Sequence, residues 1–398
     1  MLSDIGFSEN IADDDAVAII VGPNGSGKSF YLLDIVKEYR RRRSVTILSN
    51  TPYGRLNGLK GVNRFSVGRF GASPKKIIKE AVLEALKRED SAFYHISSIL
   101  EYCGYYSRFG FRLEGFTLRN IQLFKSLIDD AGRFFDTEDE LRDFEIAQSF
   151  ISRWNPGEVI WIDPARSAHE FSQSREFAAV LRCESFLVRT KLIKQISVFL
   201  EKQGSNKFEL SNASSGELSL ICSLIFLSIS VKPNSIVLID EPENSLHPAW
   251  QREYIGKIIA ALAYRNVSVV VATHSPLVVS GALAEHSNLV TVHQMTGTGP
   301  VRLNLNHNSA SSAGIEAILW KAFDVVTPAN HFVSEEIVDA MNRFERDQLS
   351  KSDLISLVIT MQKKSFDNQQ EDFFDAVLEL IDKIDANKRM KLKPGGSI

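Results

Sequence analysis

The apolar run AVAIIV, Ala16 to Val21, predicts a buried strand. A short glycine-rich stretch follows. Then Leu32, Leu33, Ile35, Val36 and Tyr39 recur at helical spacing. Val45 to Asn50 reads as a second strand, and Pro52, Gly54 and Gly58 as turn residues behind it. From about Ser73 to Gly204 the pattern is mostly helical. Ile77, Ile78, Val82, Leu83 and Leu86 share one face of an amphipathic helix. ILEYCGYYSRFGFRLEG predicts a turn or hairpin. LRNIQLFKSLIDDAGRFF and ELRDFEIAQSFISRW predict helices, Glu158 to Ile162 a short strand, and Ser172 to Lys202 one long helix. From Phe208 a loop leads into a strongly apolar helix. Then come a strand at Ile236 to Ile239, a helix from about Ala249 to Tyr264 and the strand VSVVVAT. Strand, helix, strand in this order predicts a parallel α/β sheet. Beyond Asn306 the chain reads as charged amphipathic helices, with LKPGGSI fraying at the end.

This pattern divides the 398 residues into four parts. Residues 1–60 and 205–305 form two parts of one α/β fold, 61–204 a mostly helical insertion, and 306–398 a helical tail. The first fifteen residues are polar and end in Asp13 to Asp15. An apolar content of 44% suffices for a sizeable core. The net charge of −3 gives no global nucleic-acid signature. Arg40 to Arg43 lie at a helix C-terminus, where cations are favoured, and read first as a solvated helix end, with a nucleic-acid contact as the alternative. The Phe-rich middle reads as core rather than a base-stacking surface. Cys103, Cys183 and Cys222 are scattered, which points to a reducing compartment and away from a zinc site. Neither a signal peptide nor a membrane-length apolar run is present, so the expectation is a soluble cytoplasmic protein.

The glycine-rich stretch is GPNGSGKS, Gly22 to Ser29, which fits the phosphate-binding pattern GxxxxGK[ST] in its required context of strand and helix. Gly22, Gly25 and Gly27 let backbone N–H groups turn inward toward phosphates. The new helix adds its positive end. Lys28 supplies a charge for the β- and γ-phosphates, and Ser29 a hydroxyl ligand for Mg²⁺. The candidate nucleotide-binding set is Gly22, Pro23, Asn24, Gly25, Ser26, Gly27, Lys28, Ser29 and Phe30. A nucleoside triphosphate, with Mg²⁺, is therefore expected.

Three further motifs follow. SIVLIDEPE ends an apolar strand in Asp240 and Glu241. Asp240 is placed to share the Mg²⁺ with Ser29, and Glu241 to orient or deprotonate the attacking water. Without the upstream loop, a solvated strand end would explain the pair equally well. ATHSP ends the next strand, and His274 can hydrogen-bond a γ-phosphate or the water; a lone histidine is otherwise usually structural. ASSGE opens the apolar helix. Ser214, Ser215 and Gly216 there offer an anion site, against which an ordinary serine N-cap competes.

Taken together these motifs resemble the ABC class of ATPases. GPNGSGKS corresponds to Walker A, ASSGE to the signature, DEPENSLHP to Walker B and the D-loop, and ATHSP to the switch histidine. The resemblance covers about Ala16 to Asn50 and Phe208 to Val290. It implies a P-loop NTPase fold of the ABC ATPase type, with the helical insertion and tail added. It also implies ATP bound between protomers in a head-to-tail dimer or larger assembly. Signature residues Ser214, Ser215, Gly216 and Glu217 would then act in trans, and Asn244 and Ser245 would lie in the D-loop at the interface.

DEPENSLHP, GIEAILWKAFDVVTP and LEYCGYY resemble the OLD/Septu-like, AAA_21-type ATPases, which include retron-linked and other anti-phage proteins. That branch implies control of a separate, operon-encoded effector such as a nuclease. No carboxylate-rich set follows residue 290, so no nuclease activity of the chain itself is expected. The sequence departs from the class pattern in a short lead before the P-loop and in Ser215, which replaces a glycine. No Q-loop can be assigned; Gln122 and Gln148 are candidates, each read first as an ordinary surface glutamine. The rival readings are a transporter ATPase subunit with a membrane partner, an SMC-like DNA-repair ATPase, and a scaffold whose ATP is structural.

Overall fold

The computed structural model describes residues 1–7, 16–50, 56, 59–66, 73–87, 92–117, 135, 137–163, 168–204, 207–263, 265–305, 312–323, 325, 331–363 and 368–391. Asp13 to Asp15, the turn residues Pro52, Gly54 and Gly58, the helix expected at Leu118 to Phe135 apart from Phe135 itself, Gln122 and the segment LKPGGSI lie outside the described residues. The strands in chain order are β1 Ala16–Val21, β2 Val45–Ser49, β3 Asn63–Ser66, β4 Phe109–Glu114, β5 Ile160–Ile162, β6 Gln195–Glu201, β7 Lys207–Glu209, β8 Ile236–Asp240, β9 Ser268–Thr273, β10 Val290–Thr296 and β11 Gly299–Arg302.

The chain divides into two compact units. The first comprises Met1–Ile35, Pro248–Gly256 and Val269–Ile398. Its strands lie in the order β11-β10-β1-β9. β1 runs parallel to β10, from Val17 opposite Val290 to Val21 opposite Gln294. β10 and β11 form an antiparallel hairpin. Val17 to Val21 are all buried, as an uninterrupted apolar run in a parallel strand requires. His293 in β10 is buried as well, and burial followed by the nearby Arg302 pushes its pKa down to about 4. Helix Pro276–His286 passes so close to helix Pro248–Leu262 that a Cβ on Gly281 would lie 1.8 Å from the Arg252 carbonyl oxygen.

The helices Ser312–Phe323, His331–Glu345, Lys351–Gln362 and Asn368–Lys391 follow. Ile337, Phe344, Leu354, Val358, Phe374 and Ile381 form the centre of a hydrophobic cluster among them. Ser350 caps the third of these helices by accepting from Asp353 N at 3.1 Å. Lys351 pairs with Asp382 and Asp385, both at 2.9 Å.

The second unit comprises Val36–His247 and Lys257–Ser268. In it β8, β2 and β3 pair in parallel, with Ser49 opposite Asp240 and Ser66. A second, antiparallel sheet has the order β5-β4-β6-β7. Helices Pro74–Lys87, Ala92–Tyr102, Glu138–Ser152, Ala168–Arg182 and Glu184–Arg189 accompany it. Phe111, Phe144 and Phe177 are fully buried, and the Phe111 and Phe177 rings lie 5.1 Å apart. Among the described residues, these phenylalanines of the middle stretch are therefore core.

Two expectations for this stretch need correction. Ser172 to Lys202 is not one helix. Two helices, Ala168–Arg182 and Glu184–Arg189, lead to β6. Lys191 takes a left-handed conformation, φ 59°, and breaks the helical path. Beyond it Ile196, Val198 and Leu200 alternate on one side of a strand buried on both faces. Of the turn or hairpin expected for ILEYCGYYSRFGFRLEG, the turn is present at Gly104, φ 79°, and the hairpin is not. The segment ends a helix at Tyr102 and then supplies β4, whose partners β5 and β6 come from later in the chain.

All three cysteines are free and buried. Burial pushes the thiols of Cys103, Cys183 and Cys222 up to about 12. Among the described residues no helix is long and apolar enough to cross a membrane.

Candidate nucleotide site

In the first unit, β1 ends at Val21 and helix Lys28–Tyr39 opens at Lys28. The six residues between them curl tightly. Gly25 and Gly27 have φ of +81° and +102°, a region that L side chains rarely adopt. A Cβ on Gly22 would meet the Ser26 hydroxyl at 2.8 Å. The Met295 side chain from β10 packs against the loop, 3.4 and 3.5 Å from where Cβ atoms of Gly22 and Gly27 would be. Ser26 N donates to Pro23 O at 3.2 Å, which closes the turn. The Ser26 hydroxyl is buried and has no hydrogen-bond partner among the described residues.

Lys28 is buried, 5% exposed. Its ammonium donates to Gly22 O at 2.8 Å and Pro23 O at 3.1 Å, and lies 3.3 Å from Nδ1 of His274. An ammonium can only donate, so Nδ1 is the acceptor. His274 directly follows β9, the strand beside β1. The next residue, Ser275, caps helix Pro276–His286 by accepting from Leu277 N and Val278 N at 3.2 and 3.3 Å. Ser275 Oγ donates to Gln251 Oε1 at 2.6 Å. Lysine and histidine, 246 residues apart in sequence, are thus joined at the mouth of the loop. Gly22, Gly27 and Ser29 are partly or fully covered, whereas Pro23, Asn24, Gly25 and Phe30 are exposed.

In the second unit, Asp240 ends β8 and is 2% exposed. Glu241 follows in a left-handed conformation, φ 50°, which is unusual outside glycine. Its carboxylate accepts from Asn244 Nδ2 at 3.0 Å, and its carbonyl from Asn244 N at 3.3 Å. Ser245, exposed, is a second left-handed residue, φ 71°. Asn50, directly after β2, bonds to this turn from the neighbouring strand.

Helix Ser215–Ser230 begins at the signature-like segment. Ser214 is its N-cap and accepts from Glu217 N at 3.2 Å. Gly216 is buried, Ser214 and Ser215 are exposed. The Glu217 carboxylate is already held within the chain. Lys202 donates to Oε1 at 2.8 Å and the Tyr105 hydroxyl to Oε2 at 3.0 Å. Burial pushes the Glu217 pKa up, but the hydrogen bonds from Lys202 and Tyr105 outweigh it and hold it below the usual carboxylate range. Burial, with Glu217 second, raises the Tyr105 phenol. Tyr105 belongs to LEYCGYY, whose role is now visible as a strut from the insertion to the start of this helix. Gln148 lies in helix Glu138–Ser152 and is buried, not on the surface.

The sequence reading named the loop, His274, Asp240, Glu241 and the signature serines as candidates, and their surroundings are those just described. It missed Asn50, Ser275, Gln251, Tyr105 and Lys202. Only the LEYCGYY pattern gave a signal, and that for Tyr105.

A buried parallel strand, a glycine turn holding a buried lysine, and a helix that opens on that lysine define a P-loop ATPase. The family comparison goes further. Residues 17–280 match the AAA_21 family, described as "AAA domain, putative AbiEii toxin, Type IV TA system", and the chain belongs to this family. No curated protein matches the chain.

Several solved structures are similar to it. One is "an inward-facing conformation of a putative metal-chelate type ABC transporter", at 14% identity, covering 79% of this chain and 80% of that one, with a TM-score of 0.31. Another is the ADP conformation of MJ1267, an ATP-binding cassette of an ABC transporter, at 14% identity, 78% and 87% coverage and a TM-score of 0.29. A third is the Smc head domain from Pyrococcus furiosus with the C-terminal domain of ScpA, at 12% identity, 60% and 59% coverage and a TM-score of 0.23. These global superpositions are loose. The fold assignment rests on the chain's own topology and on its family.

Proposed function

We propose that the chain is an ABC-class ATPase that hydrolyses ATP in composite sites of a head-to-tail dimer or larger assembly. Through that cycle it controls a separate effector, a nuclease, in bacterial anti-phage defence. The observation that carries the ATPase reading is the buried Lys28 ammonium, held by Gly22 O and Pro23 O with His274 Nδ1 beside it. This gathers a cation and a ring nitrogen at the mouth of a curled loop, where a γ-phosphate would exchange with the loop carbonyls for the lysine's protons.

The chemistry of the candidate donors suits Mg²⁺. The Ser29 hydroxyl and the Asp240 carboxylate are hard oxygen ligands of the kind Mg²⁺ takes. When bound, Mg²⁺ would neutralise charge on the β- and γ-phosphate oxygens. Gly22, Pro23, Asn24, Gly25, Ser26, Gly27 and Phe30 would line the phosphates and ribose side. In the reaction a water oxygen forms a bond to the γ-phosphorus while the bond from the γ-phosphorus to the β–γ bridging oxygen breaks. Glu241 takes the water's proton, and ADP leaves with the electron pair. His274 would hydrogen-bond the γ-phosphate. Ser214, Ser215 and Gly216 would meet the nucleotide of a second copy, with Asn244 and Ser245 at that interface. Glu217 would act more indirectly, because Lys202 and Tyr105 already occupy its carboxylate.

The defence role is supported by the DEPENSLHP form and by a family description that places its members in a toxin–antitoxin setting. The ATPase reading is tested by Glu241→Gln. Phosphate release should fall about 10²-fold or more, with ATP affinity near the parental value. Parental turnover in this variant would remove Glu241 as the base. The effector reading is tested by copurification from the native operon, where a nuclease should elute with the chain.

A further inference from the structure

The turn that carries Glu241 is fastened from outside itself. The Asn50 backbone N–H donates to Asp240 O at 3.2 Å. Its side-chain Nδ2 donates to Pro242 O at 3.1 Å. One residue thus holds the carbonyls on both sides of Glu241. The placement follows from the sheet: Ser49 pairs with Asp240 in the parallel ladder, so the residue that follows β2 emerges beside the Asp240–Pro242 turn. Between the two held carbonyls, Glu241 keeps its left-handed φ of 50°. Backbone in this region persists when its surroundings over-determine it. A released turn would relax toward ordinary dihedrals, and the carboxylate would swing with it.

From this we infer that Asn50 is a positioning residue for hydrolysis, which sets the aim of the Glu241 carboxylate without touching the nucleotide. The inference rests on the assignment of Glu241 as the base. Asn50 fixes the backbone of the turn, while Asn244, at 3.0 Å, holds the carboxylate itself. The two act on different atoms. Loss of Asn50 displaces a base that is still present, and misplacement on the scale of 1 Å can cost about 10²-fold in rate.

The experiment is a double-mutant cycle on the full chain, with steady-state ATP hydrolysis and calorimetric ATP binding. Asn50→Ala should lower kcat about 10- to 100-fold, with KM and ATP affinity within about twofold of parental. In the Glu241→Gln background the same substitution should cause no further loss, because there is no base left to aim. Asn50→Leu keeps about the same size and the backbone N–H and removes the Pro242 donor without adding a charge; it covers the case in which the alanine variant does not fold. It should show the same split of kcat from KM and the same non-additivity. Unchanged kcat in a folded Asn50 variant overturns the inference. So does a loss that multiplies with that of Glu241→Gln. If Glu241→Gln alone turns over at the parental rate, the assignment of Glu241 as the base fails and takes the inference with it, and that single variant separates the two failures.

Discussion

Lys28 shows how much one side chain can be asked to do. A lysine that is 5% exposed keeps its charge only if its protons are all engaged, and two loop carbonyls with the His274 ring engage them. The geometry binds the loop to itself and leaves no second cation in GPNGSGKS to replace it. Lys28→Ala should therefore weaken ATP binding by at least about 10-fold in a calorimetric titration. Unaltered affinity would move the phosphate site elsewhere. Glu241 is the opposite case. Its position is strained and held by neighbours, so its exchange should change rate rather than affinity.

Among the described helices, Ser215–Ser230 is the most apolar and has the most telling start. Ser214 caps it in the usual way. Glu217, one turn in, ties it to Tyr105 and Lys202 of the insertion. Tyr105→Phe removes a hydrogen bond to a charged group and should cost about 1–2 kcal/mol, seen as a melting temperature lower by a few degrees. The pH dependence has a definite sign. Glu217 has a lowered pKa in the folded chain, so its contribution is complete above the ordinary carboxylate range. It is lost as pH falls through the lowered folded value. The gap between Tyr105→Phe and the parent should therefore narrow on acidification below about pH 4.

The same scale shows what the sequence could and could not reveal. β1 was legible to the residue, because a parallel strand buried on both faces is an unbroken apolar run. The loop and the DEPE turn were legible because their chemistry restricts residue type. β6 was not, because its apolar run followed two real helices and its partner β4 lies some eighty residues earlier. Asn50 was invisible for a similar reason. Its donors go to backbone carbonyls nearly two hundred residues away, and any side chain with a short donor would read the same in sequence.

For the molecule as a whole, the central proposal is that a complete site needs two chains. Ser214 and Gly216 open a helix, and Ser214 is exposed. A Lys28→Ala protomer mixed with a Ser214→Arg protomer should regain part of the hydrolysis that neither has alone, since one composite site per mixed pair keeps both elements. Mixtures that never exceed the single variants would exclude action in trans. The three cysteines, sealed in the core with thiols near 12, bear on how such pairs could be followed. A thiol that is both covered and protonated is inert to alkylating dyes. The natural chain is therefore a chemically silent background for labelling. A cysteine introduced at the exposed Ser245 would stand alone in reactivity, and a fluorophore there could report the meeting of two copies in real time without any native thiol having been removed.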